Sequence, residues 1–436
     1  GIVMLETLKN AFKTKEIRIK IFLTLAMLLV YRIGCYIPLP GLSASAIEGN
    51  FASNEFLGVL STLTGGSMQN GTLFALGILP FINAFIIMQL LTLAIPALER
   101  LSKEGELGRK KLTQITRYFA IVLAIIQAIG ILFAWKSAIT PIFSFEADLE
   151  SPYLTMAFIV VMLVAGSTMV MWLGERITEY GIGNGSSLII FVGILSSFGL
   201  VLVQSFARVA DQWTYIWNII GFLLIVLAIF MLIIFMDLAE RRVTVQYSKQ
   251  IKGNKMYGGR STHIPIRVNS GGVMPIIFAS SLCMFPQMIL SFWPTSEAYI
   301  WYANYMGSGT WPYYLFLALF IIFFSYFYSM IQFNPDDIAR NIQQSGGFIP
   351  GIRAGKPTSD HLRRINNRLV FVGALFLAVL ALVPTFIFNA LSDNGALGFG
   401  GAFSATGLLI VVSVALELNK QLESQIMMRH YKGFLK

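Results

Sequence analysis

The sequence predicts an all-α protein that crosses a lipid bilayer ten times, and two observations support this prediction. Of the 436 residues, 56% are hydrophobic and only 12% are charged, whereas about a quarter of the residues of a soluble domain are charged. Apolar runs of the roughly 20 residues that a helix needs to cross a bilayer also cover most of the chain. These proportions exclude a soluble globular protein. The two cysteines both lie in apolar stretches, so no disulfide framework is expected.

The ten predicted spans are joined by loops of very unequal charge. The spans lie near residues 18–37, 73–96, 117–135, 153–173, 184–204, 214–236, 273–293, 312–333, 369–390 and 402–418. One side of the membrane receives 29 Lys and Arg residues and the other receives two, with Arg32 left inside the first span. Because basic loops stay in the cytoplasm, both termini are predicted to be cytoplasmic.

Two of the basic loops, 237–272 and 334–368, are unusually long. They contain seven and six Lys or Arg residues. Topology explains the charge, but a length of about 35 residues predicts that each loop forms a helical or hairpin projection. The loops could bind a large cytoplasmic partner, and anionic lipid head groups would satisfy their charges equally well.

The long segment on the opposite side, 38–72, contains no Lys or Arg. Within it, an apolar stretch from Phe56 to about Leu63 predicts a short helix that ends at a Gly65-Gly66 break. A helix of this length cannot cross the bilayer. We therefore expect it to fold back into the protein.

Ten spans can divide into two halves of five. An odd number of crossings in each half would place two related halves in opposite orientations, although the chain shows no strong internal identity. The division assigns residues 1–204 to an N-terminal half, 205–213 to a hinge and 214–436 to a C-terminal half.

The chain lacks the residues that most coupled transporters and enzymes need. Ionisable groups near the middle of a span usually mark an ion pathway, but Arg32, Asp237 and Glu417 all lie towards the ends of their spans. The three histidines are far apart and have no Cys or acidic residue at ligand spacing, so no metal is expected. HExxH, P-loop and GxSxG motifs are absent as well, and neither enzyme activity nor a cofactor is predicted.

Isoleucines beside glycine or proline recur in four spans. The segments are GILPFINAFIIMQ (77–89), GSSLIIF (185–191), GGVMPIIFASS (271–281) and GLLIVV (407–412). Each alone is typical of lipid-facing or core packing. Taken together they favour close helix approach, with Pro80 and Pro275 expected to perturb helices beside the isoleucines. Isoleucines that meet at one level would form an apolar constriction, which excludes water and ions and offers no hydrogen bonds to a passing polymer.

Six motifs, in order, carry a resemblance to a known family. They are PLPG (38–41), FALGILPFINAFIIMQLL (74–91), KEGELGRKKLTQITRY (103–118), WLGERITEYGIGNGSSLIIF (172–191), IPIRVNSGGVMPIIFASS (264–281) and FNPDDIARNIQQSGGFIPGIRAGKPT (333–358). The chain resembles the SecY family, the channel subunit of the bacterial protein translocase, over essentially its whole length. The resemblance implies a channel in the bacterial cytoplasmic membrane that passes unfolded secretory polypeptides and releases transmembrane segments sideways into lipid.

The resemblance also implies roles for residues inside the membrane. The pore ring of the family falls on Ile78, Ile82, Ile190, Ile277 and Ile410. The plug, within about 56–66, includes Phe56, Leu57, Val59, Leu60, Leu63, Gly65 and Gly66. The lateral gate opens between spans 2 and 3 on one side and spans 7 and 8 on the other, which places near it Asn83, Gln127, Ser281 and Phe285.

For partners, the resemblance implies that the two long loops dock the ribosome and the ATPase SecA. The docking residues would be Arg353, Arg241, Arg242, Lys255 and Arg260. For all of these but Arg353, a solvated basic loop is an equally good explanation. SecE-like and SecG-like small subunits, secretory and membrane protein substrates and anionic lipids complete the expected partners.

Two other functions compete with a protein channel. A secondary solute transporter with an inverted repeat is the principal alternative, and the lack of charge at mid-membrane argues against it. Ion-coupled uptake into vesicles would separate the two. An intramembrane enzyme is the second alternative, for which the chain offers no nucleophile, acid pair or metal cluster.

Overall fold

The computed structural model describes residues 14–43, 46–47, 61, 64–135, 138–142, 152–209, 215–247, 250–252, 255–257, 261–269, 271–272, 274–290, 296–307, 310–391 and 405–433. Its helices are α1 (Lys15–Gly34), α2 (Leu79–Ala94), α3 (Pro96–Lys103), α4 (Glu106–Ala134), α5 (Tyr153–Tyr180), α6 (Gly185–Val209), α7 (Tyr215–Leu238), α8 (Met274–Leu290), α9 (Glu297–Tyr305), α10 (Trp311–Gln332), α11 (Pro335–Gln344), α12 (Lys356–Leu391) and α13 (Ala405–Gly433). Each of the ten predicted spans falls on one of these helices, and α3, α9 and α11 are short additional helices.

Length and composition support membrane crossing for much of this set. Five described helices are long and apolar enough to span a bilayer, namely α4, α5, α7, α10 and α12. A sixth candidate is α2 together with α3, which are bent by 101° relative to each other. The helices α6 and α8 are apolar but have shorter apolar runs, whereas α1 and α13 carry several charged residues. The chain is a multi-pass membrane protein.

Several predicted boundaries are wrong, and the second span shows why. Residues 73–78 form turns instead of the first turns of a helix. Gly77 has a φ of +55°, which interrupts a helix, and Pro80 lies in the first turn of α2, where a missing N–H is tolerated. Pro80 therefore begins a helix and does not perturb one, and Pro275 likewise is the second residue of α8.

The basic segments on either side of the spans are also more helical than predicted. Residues 106–116 and 356–368 continue α4 and α12 beyond their apolar runs. A helix satisfies its own backbone hydrogen bonds in water as well as in lipid, so the membrane boundary does not end it.

The spanning helices pack as two sets of five. The first set contains α1, α2, α4, α5 and α6, and the second contains α7, α8, α10, α12 and α13. The sets meet where α6 packs against α7 and α13, and again where α8 packs against α2 and α4; we call the second contact the seam. The predicted hinge, 205–213, starts inside α6, whose last residue is Val209, and 210–214 lie outside the described residues.

The largest apolar cluster lies at the junction of the two sets. It contains buried side chains from nine of the ten spanning helices, including Val170, Ile219, Leu317, Leu377 and Leu408. Lipid tails are as apolar as these side chains, so hydrophobicity alone does not hold such helices together. Close packing of branched and aromatic side chains is therefore the main attraction between the two sets.

The two long basic loops form one folded unit. Its strands are β1 (Glu240–Tyr247), β2 (Gln250–Lys252), β3 (Lys255–Tyr257), β4 (Ser261–Arg267) and β5 (Gly347–Phe348). The hairpin β1–β4 comes from the first loop, and β5 from the second loop adds to the other edge of β1, giving the antiparallel order β4-β1-β5. We call residues 240–267 and 335–362 the loop module. The expected hairpin and helix are both present, but the loops are not separate projections.

A small core holds the loop module together. Val245 and Ile266 of the first loop pack with Ile342, Ile349 and Leu362 of the second. At one end of α11, the Asp336 carboxylate accepts hydrogen bonds from Ser359 Oγ and, at 3.0 Å, from Arg363 Nη2. These contacts fix α11 against the start of α12.

Candidate functional site

The five isoleucines that the resemblance assigns to a pore ring lie in the cluster at the junction of the two helix sets. Each is buried, with between 2% and 7% of its surface exposed. Ile82, Ile190, Ile277 and Ile410 come from four different helices, α2, α6, α8 and α13, and Ile78 is the residue that precedes α2. The structure thus gathers residues that are more than 300 positions apart in the sequence.

Close packing around this group depends on small residues. A Cβ atom added at Gly174 of α5 would lie 3.3 Å from Ile78 Cδ1 and 3.4 Å from Ile189 Cδ1. A larger residue at this position would push the isoleucines apart. Small residues at helix interfaces allow backbones to approach in this way.

A cavity of about 460 Å³ ends on three of the isoleucines. Ile82, Ile190 and Ile277 line it together with aromatic side chains, whereas Ile78 and Ile410 do not. Its remaining wall is polar and includes the ion pair between Arg117 Nε of α4 and Glu175 Oε1 of α5, at 2.6 Å. The cavity is therefore lined by both charged and apolar side chains. Among the described residues, no three His, Cys, Asp or Glu side chains lie close enough together to hold a metal ion.

Residues 64–78, which we call the cap segment, form a series of turns that α1 and α5 hold in place. Tyr31 Oη donates a hydrogen bond to the Thr64 carbonyl at 3.4 Å, and Arg32 Nη1 donates to the Gly65 carbonyl at 3.2 Å. Ser167 Oγ of α5 donates to the Gly77 carbonyl at 3.1 Å. Reasoning from sequence placed Arg32 at the membrane interface, whereas the structure gives its guanidinium a backbone partner.

The break predicted at Gly65-Gly66 is present. Their φ values are +67° and +84°, in the left-handed region that favours glycine. A Cβ on Gly65 would lie 2.9 Å from the Cα of Gly193 in α6, one turn of helix beyond Ile190. The cap segment therefore rests directly on a helix that contributes to the isoleucine group. The other predicted plug residues, Phe56, Leu57, Val59, Leu60 and Leu63, lie outside the described residues.

The four residues predicted at the lateral gate lie on the helices that form the seam. Asn83 is on α2 and half-buried, Gln127 is on α4 and buried, and Ser281 and Phe285 are on α8 and half-buried.

Sequence reasoning missed one polar contact between the two helix sets. Tyr328 Oη of α10 donates a hydrogen bond to Gln89 Oε1 of α2, at 2.5 Å. The Tyr328 ring also packs against Phe278 of α8, with centroids 5.0 Å apart. The sequence feature that could have indicated this contact is the glutamine in the mostly apolar run FINAFIIMQLL.

The predicted docking residues lie on the loop module where they are described. Arg241 and Arg242 are exposed on β1, and Arg242 Nε pairs with Glu240 at 2.8 Å. Arg353 is exposed in the turn between β5 and α12. Lys255 belongs to β3, and Arg260 lies outside the described residues. The pairing of β5 with β1 joins the two loops that carry these residues into one sheet.

Comparison with known proteins gives one consistent result. A family profile described as SecY matches residues 72–419. The protein translocase subunit SecY of Streptomyces scabiei is 40% identical over 445 residues, and that of Bacillus subtilis is 41% identical over 443 residues; each match covers 99% of this chain and 100% of the relative.

Solved structures show the same fold. A structure described as a protein conducting channel matches with a TM-score of 0.64 at 21% identity, covering 93% of this chain and 91% of that chain. Sec61 in the canine ribosome-channel complex from the endoplasmic reticulum matches with a TM-score of 0.58 at 19% identity and the same coverage.

Replacing Arg32 should loosen the cap segment. Cys35 is 2% exposed and lies beside Tyr31 and Ser67, so its reaction with a water-soluble maleimide reports displacement of this segment. In a Cys283→Ser background, we expect Arg32→Gln to raise the labelling rate of Cys35 about ten-fold, because a hydrogen bond from a charged group contributes about 1.5–3 kcal/mol.

The control for this experiment is Arg18→Gln, which removes an exposed charge from the same helix. It should leave the labelling rate of Cys35 unchanged. Equal rates in the Arg32 variant and its parent would show that Arg32 does not hold the cap segment.

Proposed function

This chain belongs to the SecY family, and we infer that it is a protein translocation channel that passes unfolded polypeptides across a membrane. Identity of about 40% over the full length of its relatives supports this function. The family consists of channels, and we propose no enzymatic activity.

The observation that best supports the proposal is the burial of five isoleucines in one cluster, three of which also line a cavity that has polar side chains in its wall. We propose that these residues, Ile78, Ile82, Ile190, Ile277 and Ile410, form the constriction. A narrow apolar passage excludes water and ions because they cannot replace their hydrogen bonds inside it. It offers a sliding polypeptide no groups to bind, so chains of varied sequence can pass.

We propose that the seam opens sideways to lipid. The contact of α8 with α2 and α4 is much sparser than that of α6 with α7 and α13 on the other side of the junction. The Gln89–Tyr328 hydrogen bond joins α2 to α10, whose Tyr328 packs on Phe278 of α8 beside the seam. A hydrogen bond of this kind between membrane helices contributes only about 0.6 kcal/mol on average and at most about 1.7. An apolar signal helix that packs between α2 and α8 can therefore replace the contacts of the seam at a small cost in free energy.

The cap segment supplies the base of the proposed plug. Gly65 lies next to Gly193 on the helix of Ile190, so displacement of this segment would uncover the proposed constriction. Arg32 and Tyr31 oppose that displacement through their bonds to the Thr64 and Gly65 carbonyls.

We propose that the loop module docks the SecA ATPase and the ribosome, since this chain contains no nucleotide-binding motif of its own. One structural neighbour is described in complex with a ribosome. SecE-like and SecG-like subunits would complete the channel. The distribution of Lys and Arg supports the proposal that the loop module and both termini lie in the cytoplasm of a bacterium, and that anionic lipids of the cytoplasmic membrane are further partners.

Cross-linking to a translocating chain tests this function. Photoreactive residues at positions 82 and 277 should cross-link to a secretory protein that is stalled in vesicles containing the channel, its small subunits and SecA. Position 224, where Leu224 is 63% exposed on α7, is the control and should not cross-link to it. Equal cross-linking at all three positions, or none at 82 and 277, would contradict a passage through the isoleucine group.

Polar substitutions in the isoleucine group should produce an ion leak. We expect Ile82→Asn or Ile277→Asn to raise resting conductance in planar bilayers at least ten-fold, because an amide hydrates a constriction that isoleucine keeps dry.

The matched controls are Ile82→Leu and Ile277→Leu, which keep volume and polarity nearly constant. Their conductance should stay near that of the unsubstituted protein. An unchanged conductance in both Asn variants would exclude these two residues from the barrier.

Loss of the Gln89–Tyr328 hydrogen bond should ease opening of the seam. We expect Tyr328→Phe to raise export of a substrate with a weakened signal sequence about three-fold, which corresponds to about 0.6 kcal/mol. Gln89→Leu should have a similar effect, and the double variant should add little to either. Additive effects would show that the two side chains act separately.

Reversal of one charge on the loop module should impair ATP-driven export. Arg353→Glu is expected to reduce SecA-dependent transport into vesicles at least ten-fold while the channel still inserts and folds. Arg340→Glu changes the same charge at another exposed position of the module and should retain most activity. If both variants transport alike, Arg353 has no specific docking role.

A further inference from the structure

An open groove of about 640 Å³ lies along α12 where this helix passes α10. One wall is a single face of α12, formed by residues spaced three or four apart: Asp360, Arg363, Arg364, Asn367, Arg368, Phe371 and Val372. The other wall includes Tyr326 of α10. Neither the isoleucine group nor the seam contributes to this groove.

The exposed face of α12 changes character within one turn. Asn367 and Arg368 are exposed and polar, whereas Phe371 and Val372 are 53% and 56% exposed and apolar. The face then stays apolar and about half exposed at Leu375, Val379 and Val383. This change marks the depth at which α12 enters hydrocarbon.

The charge of the groove is positive and incompletely neutralised. Arg363 is paired with Asp336, and Asp360 lies in the groove with the arginines. Among the described residues, no acidic group lies within salt-bridge distance of Arg364 or Arg368. Two guanidinium groups one helical turn apart can each bind phosphate oxygens in a bidentate manner.

We propose that this groove binds the head group of an anionic phospholipid. The phosphate lies between Arg364 and Arg368, and an acyl chain follows Phe371 and Val372 toward Val383. This apolar face is about 18 Å long, at 1.5 Å per residue over twelve residues, which is close to the roughly 15 Å thickness of one hydrocarbon leaflet.

A lipid explains the groove better than a protein partner does. The charged part and the apolar part lie one above the other along the membrane normal, which is how the two parts of a phospholipid are arranged. Tyr326, at the level of the transition, is a residue type enriched at head-group depth. Lipid binding in this groove requires only that the chain crosses a membrane. It can therefore be correct or wrong whether or not the chain translocates proteins.

Native mass spectrometry of the full chain tests the proposal. Protein purified in detergent is mixed with equal amounts of phosphatidylglycerol and phosphatidylcholine, and the lipid that stays bound is counted. We expect preferential retention of phosphatidylglycerol, and a loss of that preference of about thirty-fold in the double variant Arg364→Gln/Arg368→Gln, since each basic residue near anionic lipid contributes about 1 kcal/mol.

Two further variants locate the effect. Arg109→Gln/Lys110→Gln removes the same charge from the exposed first turns of α4 and should keep the preference. Arg364→Lys/Arg368→Lys keeps the charge and should retain most of it. Equal retention of the two lipids by the unsubstituted protein, or an unchanged preference in the Arg364→Gln/Arg368→Gln variant, would overturn the assignment.

A photoreactive residue at position 371 distinguishes a lipid from a protein occupant. In membranes that contain the channel with its small subunits, the adduct should have the mass of a phospholipid. A polypeptide adduct would overturn the proposal and would show that the groove is a subunit interface. Export is not measured in these experiments, so their outcome does not depend on whether the channel proposal is correct.

Discussion

The junction between the two helix sets is the constraint on which the rest of the structure depends. In a bilayer, helices gain little from burying apolar surface, because lipid is an equally apolar surrounding. The junction must therefore be held by close packing. Its branched side chains, such as Ile82 and Ile410, supply that packing, and they form no hydrogen bonds that would fix the two helix sets in one relative position. Apolar packing of this kind has no directional bonds to break, so it can be separated and formed again, as the proposed channel function requires.

Local sequence patterns were sufficient to find the spans, whereas the five isoleucines were assigned from the family resemblance and the structure buries them in one cluster. Each apolar run falls on a helix because lipid leaves the backbone almost no other choice. The ends of the helices were less predictable. Helices α4 and α12 extend through polar residues beyond their apolar runs, and there helix propensity, and not hydropathy, determines where the helix begins. Gly77 and Pro80 indicate that α2 starts late, whereas we expected Pro80 to perturb a longer helix.

The contacts that sequence reasoning missed all join distant parts of the chain. Gln89 and Tyr328 are 239 residues apart, and Arg32 and Gly65 are 33 apart. Each residue looks ordinary in its own segment, and its role depends on which helix lies opposite. The pairing of β5 with β1 is of the same kind, because two residues, Gly347 and Phe348, are too few to show a strand in the sequence.

That pairing has a mechanical consequence. The sheet is tied covalently to α7 and α8 through the first loop, and to α10 and α12 through the second. Because β5 is hydrogen-bonded to β1, a displacement of either loop is transmitted to the other loop and to the helices at its ends. Among these helices, α8 touches α2 and α4, so the sheet is mechanically coupled to the seam.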